Sequence, residues 1–263
     1  VAALVTRPQP GLALRQIAVP EIAPALAQVV ANRYGRPADE LVLCAVTGTN
    51  GKTTTNALIE ALLKRAGHRT GLLGTTGYRY ADQSLPAPLT TPGALLLHRL
   101  LRDMRDAGVS AATLEASSHA LALGRLHGLR FRVAAFTNLT QDHLDFHQDM
   151  VSYRDAKGQL FREHLADDGV GVVCIDGEHG PHMASLVQQN PGRRLITVSL
   201  RGDADISAAG VQLSVDGISA TLKSPVGDIA LRSPLCGRFN LENLAVAASS
   251  AERSRSHRKT TRV

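Results

Sequence analysis

This sequence predicts an α/β fold: a doubly wound, mostly parallel sheet of the phosphate-loop type, with a small antiparallel β appendage. Three observations carry that expectation. Apolar runs of strand length alternate with helical patterns through the middle of the chain, as in strands joined by crossover helices. A Gly- and Thr-rich loop sits at one strand–helix junction. After about residue 206 the apolar period shortens to two, between Gly and Ser-Pro turns.

The elements follow in order. Residues 1–40 hold one helical stretch, 23–34, after a loop with Pro8, Pro10 and Pro20, which is too little for an independent domain. A strand is expected at 41–46, a helix over 53–66 and a strand at 70–73. A helix over 93–107 would place Leu95, Leu96, Leu100 and Met104 on one face. Strands at 111–116 and 133–137, a helix over 151–164 and a strand at 170–175 continue the alternation. The appendage takes 206–213, 219–222 and 228–231. An Ala-rich helix starts at 241–248, and 249–263 is polar and basic.

Composition narrows the function classes. With 44% apolar and 20% charged residues in 263, the chain can bury a sizeable core and is not disordered. Aromatics are only 3% and Trp is absent, which argues against base-stacking nucleic-acid modules. The net charge of +6 suggests an anionic partner, but Arg253, Arg255, Arg258, Lys259 and Arg262 follow Glu252 with no acid among them. The body is nearly neutral, so no nucleic-acid partner is expected. Cys44, Cys174 and Cys236 show no metal-ligand spacing and read as buried thiols of a reducing compartment. No run of 18 apolar residues and no leader pattern occurs, so a cytoplasmic chain without membrane insertion is expected. Val1 in place of Met points to a fragment.

The strongest chemical signal is Thr47-Gly48-Thr49-Asn50-Gly51-Lys52-Thr53-Thr54. Glycines let backbone wrap a phosphate, helix N–H groups point at it, Lys52 neutralises it, and the Thr53 hydroxyl suits Mg²⁺. The general phosphate-loop pattern wants Gly where Val46 stands, so this is a shorter variant. Kinases, hydrolases and ligases all use such loops, and the loop alone leaves the reaction open.

Further segments decide among them. VTGTNGKTTT resembles the ATP loop of the Mur ligase superfamily. LLGTTGYR, LTTP, LEASSHALALGR and FTNLTQDHLDFH, in this order, resemble its MurE type. The resemblance covers about residues 20–248. It implies three domains: residues 1–40 as the remnant of an N-terminal UDP-binding domain, 41–248 as the central ATP-binding domain, and an absent C-terminal ligase domain. The basic tail at 249–263 does not resemble the family and has the look of out-of-frame translation. A truncated or disrupted chain, incomplete as an enzyme, is therefore expected.

The resemblance also implies site residues. Gly48, Thr49, Asn50, Gly51, Lys52, Thr53 and Thr54 would bind ATP, with Asn240 and Asn243 of GRFNLEN helping to close the nucleotide site and Asn243 at the adenine edge. Mg²⁺ would be held by Thr53, Glu115, His143 and Lys157, the last as a carbamate. Thr90, Thr91, Ser117 and Arg125 would grip a UDP-MurNAc-dipeptide, although Leu123 stands where many relatives carry Gln. Lys52, Lys157 and His143 would form the catalytic set, while His127 and His147 would be structural or on the surface. The reaction implied is ATP-dependent addition of a diamino acid, meso-diaminopimelate foremost, to UDP-MurNAc-L-Ala-D-Glu through an acyl phosphate, by a monomer. Alternatives are a related ligase such as folylpolyglutamate or cyanophycin synthetase, and a non-catalytic ATP-binding remnant.

Overall fold

The computed structural model of this chain describes residues 2–142 and 144–254. It opens with a parallel pair, β1 (Ala2–Val5) and β2 (Arg15–Ala18), followed by α1 (Ile22–Arg33). Next come β3 (Val42–Thr47), α2 (Lys52–Arg65), β4 (Thr70–Gly74), β5 (Gly77–Tyr80), β6 (Gln83–Leu85) and α3 (Ala94–Asp106). β7 (Ala111–Glu115), α4 (Ser118–Ala122), β8 (Phe131–Phe136), α5 (Leu144–His147) and α6 (Met150–Gln159) follow. β9 (Leu165–Cys174), α7 (Gly180–Gln188) and β10 (Arg194–Val198) complete the alternation. β11 (Ser207–Ser214), β12 (Gly217–Lys223), β13 (Ile229–Ser233) and α8 (Arg238–Ser254) end the described chain.

The main sheet has the order β10-β9-β8-β3-β7-β4-β5-β6. Its first six strands pair in parallel, and β5 and β6 add an antiparallel edge. β3 is buried on both faces, so its sequence is a continuous apolar run and not an alternation. Leu43 and Ala45 join one core with Leu73, Leu114 and Phe136, while Cys44 and Val46 join the other with Ile59, Leu63 and Ala245. The chain fills positions on the β7 side of β3 and then crosses to β8 on the other side. That reversal opens a crevice at the carboxyl ends of β3, β7 and β8, where ligands of such sheets bind.

The expected α/β class, parallel sheet and antiparallel appendage are all observed, with several corrections in detail. The segment before residue 41 contains a parallel strand pair in addition to its helix. In α3 the buried stripe is Leu97, Leu100, Leu101 and Met104, while Leu95 is exposed. A run of three leucines satisfies two adjacent helical stripes, and packing chooses between them. The helix expected over 151–164 stops at Gln159 and ends in a π turn, Leu160–His164. Arg193 caps that turn, donating to the carbonyls of Leu165 at 2.7 Å and Ala166 at 3.3 Å. β9 accordingly starts at Leu165, through Asp167, Asp168 and Gly169, which have poor strand propensity. Cys44 and Cys174 are buried as expected, whereas Cys236 is exposed. Among the described residues no helix is long and apolar enough to cross a membrane.

Candidate active site

The Gly-rich loop leaves β3 at the centre of the sheet and enters α2 at Lys52. Two glycines are obligatory there. Gly48 and Gly51 have φ of 153° and 83°. A Cβ would fall 2.0 Å from Thr137 Oγ1 at Gly48, and 2.2 Å from Asn243 Oδ1 at Gly51. The end of β8 holds the loop in shape. The Thr49 N–H donates to the Asn138 carbonyl at 2.8 Å, and the Asn50 N–H donates to Asn138 Oδ1 at 2.9 Å. The Thr137 hydroxyl donates to the Asn50 carbonyl at 2.6 Å. Thr54 is half-buried on the first turn of α2.

Two lysines meet at one loop carbonyl. Lys52 Nζ donates to the carbonyls of Gly48 at 2.9 Å and Thr49 at 2.8 Å. Lys157 Nζ, from α6, donates to the same Gly48 oxygen at 2.8 Å and lies 4.5 Å from the centroid of the Tyr153 ring. Lys157 is 1% exposed. Burial drives its pKa well below the ordinary lysine value and the Lys52 ammonium pushes the same way, against the Asp142 carboxylate. Burial also lowers Lys52, opposed by Glu115 and Asp142. Lys157 is therefore no helix-surface charge. It is a buried amine inclined to lose its proton.

Glu115 ends β7 and is 1% exposed. The Thr53 hydroxyl donates to its Oε2 at 2.9 Å, and the Thr75 N–H donates to its Oε1 at 2.8 Å. A cavity of about 320 Å³ opens beside it, lined by Lys52, Thr53, Thr75, Thr90, Glu115, Ser117, Arg125 and Lys157 together with Leu89, Ser118 and His119. Three of the four expected substrate residues face this space. The fourth, Thr91, is fully buried, and its hydroxyl meets the Glu115 carbonyl at 2.6 Å. It also accepts from the Ser117 N–H at 3.1 Å, so it pins the loop that carries Thr90. Arg125 reaches the Thr91 carbonyl at 3.1 Å.

The two asparagines lie on α8, beneath the loop. Asn243 is 4% exposed, accepts from the Thr55 hydroxyl at 3.2 Å and donates to Asn240 Oδ1 at 3.3 Å. Its amide stands beside Gly51, where an added Cβ would fall 2.2 Å from Oδ1. His147 is buried against Tyr153, with ring centroids 5.0 Å apart, a packing role in keeping with its sequence.

Of the residues expected to hold Mg²⁺, Thr53, Glu115 and Lys157 line the same cavity. Thr53 Oγ1 and the Glu115 carboxylate offer adjacent hard oxygens, which suit an ion that binds through one or two carboxylates, water and phosphate. Among the described residues no three His, Cys, Asp or Glu side chains converge as a ready-made metal site. His143 lies outside the described residues. A carbamate on Lys157 would add an oxygen donor in place of a cation.

Sequence reasoning missed three contributors. Gly74 gives the Glu115 carboxylate room, since a Cβ there would sit 2.3 Å from Oε1. Thr75 holds that carboxylate, and it stands in the GTTG motif without any mark of its role. Tyr153 Oη lies 3.2 Å from Thr49 Oγ1 and ties α6 to the loop. Its place one helical turn before Lys157 was the available signal.

Comparison with known proteins agrees with this geometry. Residues 46–251 match the family described as Mur ligase middle domain. The chain is 43% identical over 230 residues to the UDP-N-acetylmuramoyl-L-alanyl-D-glutamate–2,6-diaminopimelate ligase of Geobacter metallireducens, covering 86% of this chain and 44% of that protein. It is also 43% identical over 243 residues to the enzyme of that name from Corynebacterium glutamicum, covering 90% and 46%. A solved structure of a ligase of the same name superposes with a TM-score of 0.84 at 36% identity, over 94% of this chain and 50% of that one. A Mycobacterium tuberculosis folylpolyglutamate synthase complexed with ADP and AMPPCP shares the fold, with a TM-score of 0.68 at 17% identity, over 88% of this chain and 59% of that one. The chain spans about half the length of the curated relatives it matches.

Proposed function

This chain belongs to the Mur ligase family through its middle domain, and we propose that it is the ATP-binding part of a MurE-type ligase. The reaction would join a diamino acid, meso-diaminopimelate foremost, to UDP-MurNAc-L-Ala-D-Glu in the cytoplasm. The observation that carries the reading is the convergence of Lys52, Lys157, Glu115 and the Thr90–Ser117–Arg125 wall on one crevice.

Two anions must meet in such a reaction, a peptide carboxylate and the γ-phosphate of ATP. The carboxylate oxygen attacks phosphorus, and the bond to ADP breaks. The incoming amine then attacks the acyl carbon, phosphate leaves with the electron pair, and the amine gives up a proton. Lys52 lowers the repulsion between the anions, and the loop N–H groups orient the phosphates. Thr53 and Glu115 would hold Mg²⁺, which supplies charge neutralisation when bound, with His143 and Lys157 as further ligands. Thr90, Ser117 and Arg125 orient the dipeptide, and Thr91 fixes Thr90. Closure of the nucleotide site would rest on Asn243, which accepts from Thr55 of α2, and on Asn240, which accepts from the Asn243 amide.

Lys157 would enter this role as a carbamate. Its neutral amine attacks CO₂, forms the N–C bond and releases one proton, which leaves an anion beside Lys52. Burial and the Lys52 ammonium both favour the neutral amine that this addition requires. Intact mass and ¹³C NMR in labelled bicarbonate should show one carbamate, absent in Lys157→Met. A free amine in CO₂-replete buffer contradicts it.

We read the chain as a monomer, and it spans about half the length of the curated ligases it matches. It should bind ATP with Mg²⁺ yet form no UDP-MurNAc-tripeptide. Calorimetry and product chromatography on the same sample test both statements. Turnover at the rate of a complete ligase contradicts the second.

A further inference from the structure

The residue after β4 joins the two halves of the crevice. Thr75 Oγ1 lies 3.2 Å from Glu115 Oε2 and 3.1 Å from Thr90 Oγ1. A hydroxyl carries one proton, so Thr75 donates to one of these oxygens at a time. When it donates to Glu115, its own oxygen is left to accept from Thr90, and the Thr90 proton points away from the cavity. When it donates to Thr90, the Thr90 proton is released toward the cavity and Glu115 Oε2 regains a lone pair.

On the reading of the crevice given above, we infer that Thr75 is a positioning residue that couples cation binding at Glu115 to anion binding at Thr90 by the direction of one proton. A cation on Oε2 competes for the lone pair and repels the Thr75 proton, which turns to Thr90. The Thr90 hydroxyl then donates to an anionic group of the dipeptide. Bound anion favours the same arrangement, so each ligand strengthens the other by the same factor. The position of Thr75 does not depend on its hydroxyl. Its N–H holds Glu115 Oε1 at 2.8 Å, and Gly74 leaves space for the carboxylate.

The test uses the full 263-residue chain, with Mn²⁺ followed by electron paramagnetic resonance and UDP-MurNAc-L-Ala-D-Glu by calorimetry. In the wild type, saturating Mn²⁺ should tighten dipeptide binding by about fivefold, and dipeptide should tighten Mn²⁺ equally. Thr75→Val keeps shape and the backbone contact, and should lose the coupling, read as the ratio of each ligand's affinity with and without the other. Thr75→Ser should restore it. Coupling that persists in Thr75→Val, or is lost in Thr75→Ser with both ligands still bound, overturns the inference. So does wild type that binds both ligands independently. A wild type that binds neither ligand contradicts the underlying reading of the crevice, a distinct result.

Discussion

Two cavities at opposite edges of the strands of one sheet, one at carboxyl ends and one at amino ends, differ in size and in chemistry. The crevice at the carboxyl ends holds about 320 Å³. The other, of about 850 Å³, lies where the chain enters β8, β9 and β10, among Arg36, Arg130, Arg162, Arg193, His127 and His164. Its arginines serve the fold: Arg36 pairs with Asp39 at 2.8 Å, Arg162 donates to the Asp155 carbonyl at 2.9 Å, and Arg193 caps the π turn. In the crevice, groups from three strand ends converge without closing the space. A carboxylate, two desolvated lysines and several hydroxyls face one another there. Volume does not mark the site. Convergence at the switch point of the sheet does.

That contrast can be broken most sharply at the loop. Gly48→Ala should weaken ATP binding by about 100-fold or more, because the added carbon strikes Thr137 and the backbone conformation disfavours an L side chain. Arg162→Ala, across the molecule, should leave ATP affinity within about twofold. Calorimetry on the pair checks both, and equal losses would erase the distinction between the cavities.

The lower cavity should instead govern acid stability. His164 is 2% exposed, and burial depresses its pKa to about 4. The unfolded chain binds the proton first, so stability falls as pH drops from about 6.5 through about 4. The loss approaches about 3 kcal/mol. Urea unfolding at pH 7 and pH 4.5, with His164→Leu as the reference, measures it. An identical decline in that variant contradicts the assignment.

A smaller effect is expected at Lys157. Its depressed pKa means that the folded chain pays for burying an ammonium at low pH, and stability is regained as pH rises toward the ordinary lysine value. In CO₂-free buffer Lys157→Met should raise Tm by about 2–6 °C, more at pH 6 than at pH 9. A gain independent of pH would leave the lysine's charge out of the explanation.

Local periodicity made most of the fold legible. β3, β4, β7 and β8 are apolar runs bounded by loops, and the helices between them are amphipathic or strongly marked at their starts. β1, β2, β5 and β6 were hidden because short edge strands are fixed by pairing partners rather than by pattern. The π turn was hidden because its partner, Arg193, lies some thirty residues away. At the site, Lys52, Thr53, Glu115 and Lys157 were named from motifs, and Thr90, Ser117 and Arg125 were brought to the same cavity. The work of Gly74 and Thr75 was not legible, since it depends on β4 lying beside β7. The burial of Asn243 and Thr91 was equally invisible, as both are polar residues that the fold places under the loops they support.

The most direct test of the account is an ATP titration, with Mg²⁺, of the wild-type chain and Lys52→Ala. The account predicts one saturable site in the wild type and a loss of about 100-fold in the variant, with unchanged Tm in the absence of nucleotide. Equal affinity in the two proteins would contradict it, because the nucleotide would then lie somewhere other than the crevice at the end of β3.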